Sequence, residues 1–149
     1  MNDDEPQRVR EPAHGWCSLR LRFDQRELAL LRAAEQVRGV ALAHTPRPDD
    51  LRTALSLARA GHKLGAAAPG ASVSLEENEV NLLLAALRYT TDEVQRASRT
   101  ENNQDPRQRE AIATAFPELV ELGGWRSFGL TRELEALTAR LQNAVSSKY

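Results

Sequence analysis

This sequence predicts a mainly α-helical domain: a small bundle of about five helices with one short N-terminal β-strand over residues 17–23. Three features point there. Capped segments with apolar residues at helical spacing recur along most of the chain. WCSLRLRF, from Trp16 to Phe23, alternates instead with the two-residue period of a half-buried strand. LRFDQRELALLRAA, from Leu21 to Ala34, also aligns without a gap on VSLEENEVNLLLAA, from Val73 to Ala86. Five of its fourteen positions are identical, namely Glu27/Glu79, Leu30/Leu82, Leu31/Leu83, Ala33/Ala85 and Ala34/Ala86, so each copy reads as an extended entry running into a helix. One spacing speaks against a duplication. The capping boxes read from the sequence, Asp24 with Glu27 and Ser74 with Glu77, lie fifty residues apart, whereas the alignment requires fifty-two.

Residues 1–15 mix charges and prolines with almost nothing apolar and are expected to form a disordered tail, leaving 16–149 as a single helical domain. In the strand, Cys17, Leu19, Leu21 and Phe23 share one face, with Ser18, Arg20 and Arg22 on the other. Its candidate partners are Val40 to Ala43, Ser72 to Leu75, or the same segment of a second subunit. The first helix is expected from the Asp24 cap to about Arg38, ended by Gly39. After a loop containing Pro46 and Pro48, Asp49 or Asp50 caps a second helix that reaches about Lys63, with Leu51, Leu55 and Ala58 as its apolar stripe. GAAAPGA, from Gly65 to Ala71, breaks the chain. The third helix, from Ser74 to about Ser98, has the widest apolar arc: Val80, Leu83, Leu84, Leu87, Thr91 and Val94 beside Leu82, Ala86 and Tyr89. That arc marks it as the central helix. Asp105, Pro106 and Gln108 start a short fourth helix, which Pro117 disrupts before Gly123 and Gly124. The last helix runs from Thr131 to about Ser147, and its seam of Leu134, Leu137, Leu141 and Ala144 suits docking on the core or on a symmetry mate.

At 149 residues, 41% hydrophobic and 28% charged, the chain can bury a core without disulfides or metal. A formal net charge of -1 gives no global field toward nucleic acid or an anionic membrane. The single Cys17 cannot close an intramolecular disulfide, and no early apolar run resembles a signal peptide or a span, so a reducing cytoplasm is expected. Only Lys63 and Lys148 are lysines, so eighteen of the twenty basic residues are arginine, a bias that fits a GC-rich bacterial genome.

No motif identifies an enzyme or a family. Glu76, Glu77 and Glu79, with Asp92 and Glu93 further on, could offer oxygen ligands to Mg²⁺, but acidic residues at a helix start are explained by the macrodipole. Cys17 shares its face with apolar residues, and His14, His44 and His62 lack metal-ligand spacing. No catalytic residue, cofactor or metal is therefore expected. Arg52, Ser56, Arg59 and Lys63 form a mostly basic stripe suited to phosphates or an acidic partner, although the loop from Gly39 to Pro48 reads as too long for a helix-turn-helix. The expectation is a non-enzymatic protein-interaction or oligomerisation domain of a bacterial cytoplasmic protein. Its partners would be a second copy, as a homodimer, or an unidentified protein, with no membrane contact. Self-association is assigned to the strand edge near Leu19 to Phe23, the central helix and the Leu134, Leu137 and Leu141 seam. The alternative is a nucleic-acid-associated regulator using Arg52, Arg59 and Lys63.

Overall fold

The computed structural model describes residues 7–11, 16–44, 47–97, 104–119 and 124–146, and these form a mainly α-helical small bundle. The alternating segment becomes strand β2 (Trp16–Arg22), but it does not stand alone. It lies in the middle of a three-stranded antiparallel sheet, between β1 (Gln7–Glu11) and β3 (Ser72–Glu76). Of its candidate partners, the Ser72 segment is the one that pairs, with Leu19 opposite Leu75 and Leu21 opposite Val73. Part of the expected tail thus supplies a strand; residues 1–6 and 12–15 lie outside the described residues, as does the side chain of Cys17. Leu19 and Leu21 face the helices while Arg20 and Arg22 face solvent, as the alternation requires; Phe23, just past the strand, is buried, and so is Ser18, against expectation.

Helix α1 (Gln25–Ala43) begins at a complete capping box: the Asp24 carboxylate accepts the Glu27 N–H at 2.7 Å, and the Glu27 carboxylate accepts the Asp24 N–H at 3.0 Å. It does not stop at Gly39. Burial of Leu42 one turn later outweighs the weak helix propensity of a single glycine. Four residues, 44–47, then separate α1 from α2 (Pro48–Ala66), so the long-loop objection to a helix-turn-helix falls. Geometry replaces it. Gly61 faces Glu35 and Gly65 faces Arg32, so the two helices run antiparallel as a hairpin rather than crossing steeply.

Pairing with β2 carries β3 through Glu76, so α3 (Glu77–Ala97) starts later than a Ser74 cap would place it. Its half-box forms between Glu76, whose N–H is accepted by the Glu79 carboxylate at 2.9 Å, and Glu79 itself. α3 is the central helix, packed on α1, α2, α4 (Pro106–Ala115) and α5 (Gly124–Ser146), with Val80, Leu83, Leu84, Leu87 and Val94 all buried. Asp105 caps α4 by accepting the Arg107 N–H at 2.8 Å. α5 begins at Gly124, seven residues before the expected Thr131 cap, because Leu130 and Thr131 are themselves buried helical positions. Its Leu134, Leu137 and Leu141 seam is buried, and α5 packs on α3 within the chain, so those leucines are not a surface for a second copy.

These corrections bring the two similar segments into register. From Asp24 to Glu76 the offset is 52, the value the alignment requires. Phe23/Leu75, Leu28/Val80, Leu31/Leu83 and Ala34/Ala86 are equivalent and all buried, and the equivalent pair Leu21 and Val73 lie directly opposite each other in the sheet. Equivalent positions of the two segments thus meet across the β2–β3 pair. The likeness extends to α2 and α5: Leu57, Ala60 and Leu64 match Leu134, Leu137 and Leu141 in spacing and burial. Lys63 of α2 reaches Glu79 of α3, and Arg140 of α5 reaches Glu27 of α1. The fold is thus two β-α-α units, each bracing the other's first helix, with α4 inserted in the second.

Candidate association surface

Helix α2 carries two leucine stripes, and the packed one is not the expected one. Leu57, Ala60 and Leu64 are buried, whereas Leu51 is 49% exposed, Leu55 is 65% exposed and Ala58 is exposed beside them. Small residues decide this. Ala60 and Gly61 let α2 approach α1 so closely that a Cβ at Gly61 would stand 2.7 Å from Cδ of Glu35. That paired Ala-Gly step between Leu57 and Leu64 was the legible signal for the inward face. The expectation that Leu51, Leu55 and Ala58 face the core is therefore reversed: they form an apolar strip on the surface, and such strips mark contact sites more often than lone exposed side chains do.

The basic stripe consequently flanks the exposed leucines. Arg52 is solvated and only 3.9 Å from the Asp49 carboxylate, a weak exposed pair. Arg59 is exposed, and among the described residues it forms no ion pair. Lys63 is committed elsewhere: its ammonium lies 2.6 Å from the buried Glu79 carboxylate, which the Glu76 N–H also needs. A groove of about 510 Å³ runs beside the strip, bounded by Leu55, Ala58, Arg59 and His62 on α2 and by Glu76 and Asn78 where β3 meets α3.

The acidic residues do not assemble into a centre. Glu79 is tied to Lys63, and Glu93 accepts from the buried Gln104 amide at 2.6 Å and lies 3.4 Å from Arg96. Burial, with the Glu93 charge nearby, pushes the Tyr89 hydroxyl up to about 12. Among the described residues no three His, Cys, Asp or Glu side chains come together in a way that could hold a metal ion, and His44 and His62 are exposed and apart from each other along the chain. His14 and the Cys17 side chain lie outside the described residues. No described helix is long and apolar enough to cross a membrane. No protein-family model, curated protein or solved structure matches the chain.

Proposed function

We propose that the chain is a non-enzymatic association domain of a bacterial cytoplasmic protein, joining a second copy of itself or another protein through the outer face of α2. The observation that supports this reading is Leu55, the more exposed of two neighbouring leucines on that helix; among the described residues the only other exposed large apolar side chain is Phe128. Burying the part of the two leucines that is still exposed contributes about 0.7–2 kcal/mol each, scaled from the value for full burial, which can anchor a contact if polar groups at its rim stay satisfied. The experiment is proximity labelling in the native host, comparing the wild type with the Leu51→Glu/Leu55→Glu double variant. Loss of a defined set of partners, with an unchanged helical melting curve, is expected. An identical partner set removes the reading.

A nucleic-acid-associated role keeps one supporting observation, the exposed Arg52 and Arg59 on one face. Engagement of Lys63 by Glu79 leaves that stripe with Arg59 and the weakly paired Arg52, fewer cations than sequence-independent phosphate binding ordinarily uses. Retention of mixed-sequence DNA at low salt, with the salt slope reduced by about one unit for each of Arg52→Gln and Arg59→Gln, would establish this role in place of the first.

A further inference from the structure

The β3 edge of the sheet offers a contact for the association domain. β3 pairs with β2 on one side, and among the described residues no strand pairs on its other side, although the Glu76 N–H is already accepted by the Glu79 carboxylate, which leaves Ser72 and Ser74 to donate along that edge. Edge strands are ordinarily protected by lysine, proline or inward-pointing charge. The sequence of β3, Ser-Val-Ser-Leu-Glu, has none of these, whereas β1 at the opposite edge is Gln-Arg-Val-Arg-Glu. β3 is also complementary to itself. When two copies run antiparallel about Ser74, Val73 faces Leu75 of the second copy, Ser74 faces Ser74, and Ser72 faces Glu76, so no like charges meet. A two-fold axis perpendicular to the sheet keeps Val73 and Leu75 of both strands on the helix side, where they are already buried. The groove beside exposed Leu55 and Ala58 ends at Glu76, so chain added along this edge comes close to the apolar strip of α2.

We infer that two copies of this chain join their β3 strands edge to edge, making one continuous six-stranded sheet with α2 of each copy flanking the seam. This rests on the association reading above and names its partner as a second copy. The contact is isologous and closes as a dimer, because each copy uses the same edge of its sheet.

The test uses the charge at Ser74, the position that meets itself across the axis. Within one chain Ser74 is opposite Arg20, so Ser74→Glu gains a favourable neighbour in the monomer. In the dimer it places two glutamates opposite each other. Sedimentation at increasing concentration is expected to show a wild-type dimer, and a dissociation constant raised about fivefold or more in Ser74→Glu and likewise in Ser74→Lys. An equimolar mixture of the two variants is expected to recover the dimer through Glu–Lys pairing, which no general loss of folding can imitate. A wild-type monomer at high micromolar concentration overturns the inference and leaves the association reading to its labelling test. A dimer unaffected by both Ser74 variants also overturns it, and if that dimer is lost in Leu51→Glu/Leu55→Glu, the association reading stands with its contact on α2 alone.

Discussion

Glu35 shows how one residue couples packing to pH. Its carboxyl sits in the α1–α2 crossing, where burial raises its pKa above the ordinary 4.5 despite the nearby Arg32. An acid whose folded pKa is raised binds its proton more readily in the folded state, so its contribution favours folding at low pH and turns unfavourable as pH rises above about 4.5. Glu35→Gln is therefore expected to raise the melting temperature at pH 7, with the gain shrinking as pH falls toward 4; an equal gain at both pH values would contradict the assignment. Gly61 faces the same carboxyl. Gly61→Ala is expected to be tolerated better in a Glu35→Ala background than alone, with a coupling of about 1 kcal/mol in a double-mutant cycle. At the other crossing, Glu79 serves both Lys63 and the Glu76 N–H, and Glu79→Ala strands a backbone donor; a loss of about 1–3 kcal/mol in urea denaturation is expected.

Among the elements, α2 and α5 bury sets of the same spacing yet present different outer faces. Both bury an i, i+3, i+7 set, and removing atoms from it leaves a cavity. Leu137→Ala is expected to cost about 2–5 kcal/mol, whereas Leu55→Ala, which empties only solvent-facing space, should stay within about 0.5 kcal/mol. If Leu55→Ala cost as much as Leu137→Ala, the outward orientation of the α2 strip would be wrong. On α5 the place matching Leu51 is held by Phe128, also exposed, with the Arg132 guanidinium 5.5 Å from its ring centre. The cation there covers part of the ring and lowers its need for a partner. The leucines of α2 have no such cover, and this difference favours α2 as the contact face.

At the scale of the whole molecule, the crosswise bracing makes the two units interdependent. Lys63 of the first unit holds the start of α3 in the second, and Arg140 of the second holds the start of α1 in the first. The shared sheet and the α1–α3 contact join them further. Neither unit can unfold without exposing apolar surface of the other, so one cooperative transition is expected. Amide hydrogen exchange of α1 and α3 and helical circular dichroism report on both units; their urea transitions should coincide. Two separated transitions would mean that the units fold independently.

Local chemistry wrote much of this architecture into the sequence. The Asp24–Glu27 box, the Asp105 cap before Pro106, the alternation of β2 and the broad apolar arc of α3 depend on residues a few positions apart, where side-chain type and spacing suffice. The start of α3 was misplaced because Ser74 is a good cap in isolation; pairing with β2, more than fifty residues earlier, kept the chain extended to Glu76. Strand β1 was unreadable in a polar segment, since its order comes from a hydrogen-bonding neighbour rather than from its own pattern. The candidate surface was the least legible part. Leu51, Leu55 and Ala58 match a helical period as well as Leu57, Ala60 and Leu64 do, and periodicity cannot rank two stripes on one helix. The sequence by itself determined that α2 would be an amphipathic helix with cations along it. Only the tertiary structure decided which leucines faced water, because that choice was made by the close approach of Gly61 to Glu35 on another helix.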